Sequence, residues 1–188
     1  MFHRSLGPTL SLLGLGLLLV APLSADAAVR VDGKPKVTFF GIGSPGFLDI
    51  EGVTNTMTAA EDAGKLVFTV PMSTVQTGIS MRDSHMNEKY VEVAKFPNAI
   101  LSFPKADVLW PATLGEEKKG TVKATFNIHG QDQAVNVAYA VKKSKTGFQV
   151  KANFNYDTSV AGIAIPSYLG VTVDPKMRAE VAVDLIDG

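Results

Sequence analysis

Arg82, Asp83, Ser84 and His85 stand side by side in the stretch TGISMRDSHMNEKYVEVAKFPNAILSF (77–103), where groups able to do chemistry gather. A guanidinium donates bidentately to phosphate or carbonyl oxygens, so Arg82 is a candidate contact for the polar head group of a ligand. Its other reading is structural, tying a helix to a neighbouring strand while Asp83 caps that helix. His85 lies near Asp83 and Glu88, but Asp83-Ser84-His85 lacks the i, i+4 spacing that puts two ligands on one helical face. Ser84 has no G-x-S-x-G elbow around it, and adjacent helical residues diverge. The second histidine beyond the N-terminal segment, His129, precedes Gly130 where a hairpin turn is expected. No catalytic residue, metal ligand or cofactor is assigned.

The element that carries these residues is a short amphipathic helix. Asp83 reads as its N-cap, Met86, Tyr90 and Val93 recur at i, i+4 and i+7 as its apolar face, and Phe96-Pro97 as its end. Everything around it reads as strand. In GTVKATFNIHG the residues Val122, Ala124, Phe126 and Ile128 share one face, and Thr121, Lys123, Thr125 and Asn127 the other. The same period of two runs through 134–141, 148–156 and 176–185. Upstream, strands are expected at about 36–42, 46–58, 64–74 and 99–109, parted by turn signals at Ser44-Pro45-Gly46 and Glu61-Asp62-Ala63-Gly64. The fold class is therefore all-β: eight antiparallel strands, enough to close a barrel that is either just filled by side chains or holds one small ligand, with the helix plugging or flanking it. An outer-membrane barrel would show the same period, but it needs aromatic girdles at both ends of its strands, and this chain has one Trp and four Tyr.

Met1 to Ala27 reads as a secretory signal peptide, with Arg4 as its positive region, Leu10 to Ala21 as its apolar run and Ala25-Asp26-Ala27 as the cleavage site. The apolar run is short and broken by glycine, so a membrane span is not expected to persist after processing. Residues 28–188 make one domain, placed in the periplasm or secreted. The chain holds 18 basic and 18 acidic residues, which excludes nucleic acid as a partner, because neutralising phosphates takes a clustered basic excess. Lys118-Lys119 and Lys142-Lys143-Lys145 fall where hairpin tips are expected. With no cysteine there is no disulfide, thiolate metal site or cysteine nucleophile.

The chain resembles the YceI-like family, bacterial periplasmic proteins with a lipocalin-shaped barrel that bind polyisoprenoid lipids. The resemblance rests on Thr77-Gly78, Arg82-Asp83, Phe96-Pro97 and Phe103, on the strand-turn-strand from Gly120 to Val141 with its His129-Gly130 turn, and more loosely on Gly162 through Ile165-Pro166-Ser167. It implies a hollow lumen that holds an isoprenoid. Phe39, Phe68, Phe103, Phe126 and Phe154, assigned to inward faces, together with Met81, Met86 and Tyr90 on the helix, are the expected ligand contacts. The expected function is sequestration or transport of a quinone or prenyl phosphate. The alternatives are an enzyme acting on a lipid in the same cavity, with Arg82, Asp83 and His85 near its mouth, and a filled barrel used as a scaffold. The sequence leaves a homodimer open.

Small residues at the two positions read by signal peptidase place the mature N-terminus at or near Ala28. N-terminal sequencing of the exported protein checks this, and retention of Leu12 to Val20 refutes it.

Overall fold

The computed structural model describes residues 29–44, 48–168 and 171–186, so the expected signal segment lies outside the described residues. Its strands are β1 (Arg30–Ser44), β2 (Leu48–Thr54), β3 (Thr58–Asp62), β4 (Lys65–Pro71), β5 (Asn98–Pro104), β6 (Glu117–Ile128), β7 (Gln131–Lys143), β8 (Phe148–Asp157), β9 (Ser167–Tyr168), β10 (Val171–Val173) and β11 (Lys176–Ile186). All pair antiparallel in one curled sheet of order β3-β4-β5-β6-β7-β8-β11-β1-β10-β9, with β2 on the other edge of β1. The all-β class, the barrel-like curl and the short helix agree with expectation. The strand count does not: eight were expected and eleven stand among the described residues.

The main difference is at 46–58, expected as one strand. The run breaks after Thr54, whose hydroxyl accepts a hydrogen bond from the Thr56 amide at 3.1 Å. A hydroxyl that bonds its own backbone two residues on competes with the strand ladder. The break is where the chain changes partners. Before it, β2 pairs with β1, and after it β3 pairs with β4, so one chain segment joins the two ends of the sheet.

Side-chain parity follows the sequence pattern. On β6, Val122, Ala124, Phe126 and Ile128 are buried while Thr121, Lys123 and Thr125 are exposed. Phe126 sits among aromatics, with ring centroids 5.0 Å from both Phe154 and Tyr156. Two tight hairpins fix the register of their strands. In both Ala63-Gly64 and His129-Gly130 each residue has positive φ, as a two-residue type I′ turn demands.

The connection from β4 to β5 is the plug. It opens on a 3₁₀ turn (Met72–Thr74), pairs Gln76 with Val53 through backbone bonds of 2.8 and 2.9 Å, and forms α1 (Ser80–His85), which widens into a π-turn over Met86–Tyr90. Met72, Val75 and Val91 are buried in the core, and Met86, Tyr90 and Val93 pack against it as their spacing predicts.

Both ends of the helix differ from expectation. Ile79 is the N-cap and contributes no side-chain bond. Asp83 lies inside the first turn and reaches back, its Oδ1 accepting from the Thr77 amide at 2.8 Å and the Thr77 hydroxyl at 2.5 Å. The carboxylate thus satisfies the turn before the helix rather than the helix's own amides. The helix stops at Tyr90, well before Phe96-Pro97, because Glu92 turns left-handed (φ 48°) and the Val93 amide closes on the Asn87 carbonyl at 2.8 Å. At the far end of the plug, the Pro97 carbonyl accepts from the Met72 amide at 2.8 Å, drawing its two ends together.

The plug meets the β6–β7 hairpin through Phe96. A Cβ on Gly130 would lie 2.7 Å from the Phe96 ring, and the ring centroids of Phe96 and His129 are 4.3 Å apart. Glycine at 130 is therefore needed both for its φ of 73° and for the approach of Phe96.

Phe126→Asp places an unpaired carboxylate in the core and costs several kcal/mol, whereas Thr125→Asp, on the exposed face, changes stability by about 0.5 kcal/mol or less. Equal effects in urea unfolding would refute the register. Gly130→Ala costs about 2–4 kcal/mol from left-handed backbone and overpacking together. Gly64→Ala, with positive φ but nothing within 4 Å of the new methyl, costs only the backbone part, about 1–2 kcal/mol.

Candidate ligand-binding lumen

Inside the curl the inward residues of β1, β4, β5, β6, β7, β8 and β11 surround one cavity of about 70 Å³. Its wall is aliphatic and aromatic, with Phe39, Phe68, Phe103, Phe126 and Phe154 spread round it and Phe68 stacked on Phe103 at 5.8 Å. The polar atoms brought to this wall are already committed. The Tyr139 hydroxyl accepts from the Leu109 amide at 2.8 Å and lies where a Cβ on Gly120 would stand. The Trp110 indole N–H donates to the Lys105 carbonyl at 3.1 Å, and its ring packs on Phe148 with centroids 4.8 Å apart. The Lys143 ammonium covers the other face of that end, 4.1 Å from the Phe148 centroid. These contacts hold the 105–116 connection across the end of the lumen opposite the plug.

The five phenylalanines expected as ligand contacts all line the cavity. The helix residues do not. Met86 and Tyr90 pack on the core from the plug without reaching the cavity, and Met81 points away at 69% exposure. The Met81 spacing held the signal, since five residues from Met86 is about 140° round a helix. Arg82 is outside the lining too. Its Nε donates to the Thr77 hydroxyl at 2.8 Å and its Nη2 to the Thr77 carbonyl at 2.7 Å, so this arginine ties the helix to the turn before it, inside the plug, and not to a neighbouring strand as expected. Sequence reasoning missed Met57, Val108 and Trp110, which line the cavity from connections where no period exists to reveal them.

None of the titrating groups with a displaced pKa lines the cavity. Burial pushes the Tyr156 phenol far up, so it is neutral at any physiological pH. On the plug, the Lys95 ammonium and then the His129 ring hold the Glu92 carboxyl below the usual range. His129 sits between two acceptors, Nδ1 at 2.9 Å from the Ala161 carbonyl and Nε2 at 3.0 Å from Glu92 Oε2. Asp83 and Arg82 are joined through Thr77 and not to His85, so the three do not form an acid-base group facing the cavity. Among the described residues no three His, Asp or Glu side chains cluster as metal ligands, and no helix is long and apolar enough to cross a membrane. What the lumen can do chemically is surround apolar chain.

The YceI-like domain model matches residues 29–185. Among solved structures, a polyisoprenoid-binding domain from Saccharophagus degradans implicated in plant cell wall breakdown is 14% identical, with a TM-score of 0.68 over 87% of this chain and 99% of its own. BcnA from Burkholderia cenocepacia is 15% identical, with a TM-score of 0.64 over 82% of this chain and 98% of its own. At these identities the likeness speaks for the fold. Among curated proteins none matches. The family match, spanning every strand from β1 to β11 and carrying both the Thr77/Arg82/Asp83 fastening and the His129-Gly130 turn, shows that the chain belongs to the YceI-like family.

Proposed function

We propose that the protein is exported to the periplasm and there sequesters or carries one polyisoprenoid, of the quinone or prenyl-phosphate type, with its tail in the lumen. The observation that carries this reading is the lining, where five phenylalanines and a surround of aliphatic side chains meet no uncommitted polar group. The naming of the S. degradans relative as polyisoprenoid-binding supports it. At roughly 0.3 kcal/mol per heavy atom, a ligand of about 40 atoms reaches on the order of 12 kcal/mol, near nanomolar affinity. Release is then slow, which suits storage or transport rather than turnover.

The cavity of about 70 Å³ is far below the roughly 300–1,000 Å³ of ordinary ligand pockets, so a long tail enters only as the lumen widens. Phe68, Leu101, Val150, Ala152 and Val181 face the cavity yet are only partly buried, and they form the loosest part of the wall. A prenyl head group meets Arg82, Met81, Met86 or Tyr90 only if the plug rearranges, because Arg82 is held by Thr77. The small cavity favours one second reading, a filled barrel whose surface does the work.

The protein purified from its native host yields an isoprenoid in an organic extract read by mass spectrometry. Restoring the lipid to delipidated protein at about a hundredfold excess over Kd adds about 2.7 kcal/mol to stability, seen as a higher Tm. An empty extract together with an unmoved Tm would leave the filled barrel as the reading.

A further inference from the structure

Neither of the two acceptors that face the His129 ring can donate a hydrogen bond. Nδ1 is 2.9 Å from a backbone carbonyl, that of Ala161, and Nε2 is 3.0 Å from a carboxylate, that of Glu92. A neutral imidazole carries one N–H and can satisfy only one of them, whereas the imidazolium carries two and satisfies both. Protonation of Glu92 would offer an escape, but Lys95 pairs with that carboxylate and holds it ionised.

The ring also joins three separate pieces of chain: the β6–β7 hairpin on which it stands, the end of the plug at Glu92, and the 158–163 connection at Ala161. Its side chain is only 12% exposed. Both members of the pair, Glu92 (φ 48°) and His129 (φ 53°), hold left-handed backbone that favours glycine, a conformation that persists where the surroundings over-determine it. Val91 next to Glu92, Ile128 next to His129, and Ala161 and Ile163 are all buried in the core.

We infer that His129, as a doubly protonated imidazolium, is the positioning residue that latches the plug to the hairpin and to the 158–163 connection, and that its deprotonation loosens the plug and speeds release of the lipid. The coupling to release rests on the lipid-binding reading; the latch does not. The charged groups on the elements packed here are Glu92 and Lys95 on the plug, Asp132 on β7, which accepts from Asn127 at 2.6 Å, and Asp157 at the end of β8, which binds Ser159. Lys95 neutralises Glu92, and Asn127 and Ser159 occupy the other two carboxylates, which leaves the ring as the group whose proton count decides whether both bonds of the latch stand. The sign follows from the bonds. The latch favours the doubly protonated ring, so it is complete while both ring nitrogens carry a proton and is lost as rising pH removes one, failing on the acid side only when Glu92 is protonated.

The test is amide hydrogen exchange across 91–97 in the ligand-free protein at about pH 5.5 and about pH 8.5, corrected for intrinsic rates. Wild-type protection falls by roughly tenfold or more at the higher pH, the equilibrium effect of losing one charge-assisted bond. His129→Asn, which keeps a residue tolerant of left-handed backbone, is poorly protected at both pH values. Glu92→Gln, which removes the carboxylate, flattens the pH dependence. Wild-type protection that is equal at the two pH values, or ring nitrogen resonances of a neutral tautomer at pH 5.5, overturns the latch. Release of a fluorescent farnesyl probe is then faster at pH 8.5 in wild type and fast at both in His129→Asn. A probe that binds but leaves at one pH-independent rate overturns the coupling. A probe that never binds, beside a pH-dependent exchange pattern, overturns the lipid-binding reading and leaves the latch standing.

Discussion

A sheet that curls until its apolar faces meet must also close its two ends, because any end left open puts aromatic and aliphatic surface in water at about 25 cal/mol per Å². Alternation along the strands makes the wall but cannot make the ends. The molecule closes one end with the 105–116 connection, through Trp110 on Phe148 and the Tyr139 hydroxyl on the Leu109 amide, and the other with the plug. Apolar contact alone would let such a segment slide. Polar bonds hold its shape at Thr77, Arg82 and Asp83 and, through Glu92, tie it to His129 on the β6–β7 hairpin.

The fasteners share a design. Thr77 is gripped from both sides, with its amide and hydroxyl donating to Asp83 while its hydroxyl and carbonyl accept from Arg82. His129 is gripped between Ala161 and Glu92. Bonds of this kind to charged groups are each worth about 1.5–3 kcal/mol, more than a neutral pair, and the cost of breaking one includes leaving its partner unsatisfied. A plug of short helix, with few turns of its own to stabilise it, needs anchors of that strength. The sequence feature that looks most like an active site is thus spent on holding a stopper.

How far the sequence could be read depends on which forces left a local trace. Strand parity was legible because burial imposes a period of two, and Phe126 and Phe154 fall inward as that period requires. The contact of Met86, Tyr90 and Val93 with the core was legible from helical spacing. The break after Thr54 was not, since Thr-Asn-Thr supports either strand or turn and the sheet's curl decides between them. Asp83 was placed on the plug correctly but given the wrong partner, because an acid near a helix start can reach forward to helix amides or back to Thr77, and only tertiary position distinguishes the two. Met57, Val108 and Trp110 reach the lumen from aperiodic connections and left no pattern at all.

Lumen size was the least legible quantity, and the reason bears on function. Packing density depends on how side chains interlock, not on which residues alternate, so the same strands could enclose a wide pocket or a cavity of about 70 Å³. A lining of phenylalanine and valine with little void already buries its own surface, so an entering tail gains contact only as it displaces contacts the wall makes with itself. Its net affinity is the difference between those two sets of contacts, reduced further by the work of widening the sheet. That difference is largest where the wall is loosest, around Phe68, Leu101 and Val181, which are incompletely buried before any ligand arrives. Strands β4, β5, β8 and β11, which carry these residues together with Val150 and Ala152, are the ones whose separation would change if a tail entered. The plug, tied through Glu92 to His129 on the β6–β7 hairpin, joins the ends of β4 and β5 at the end of the lumen where they would part.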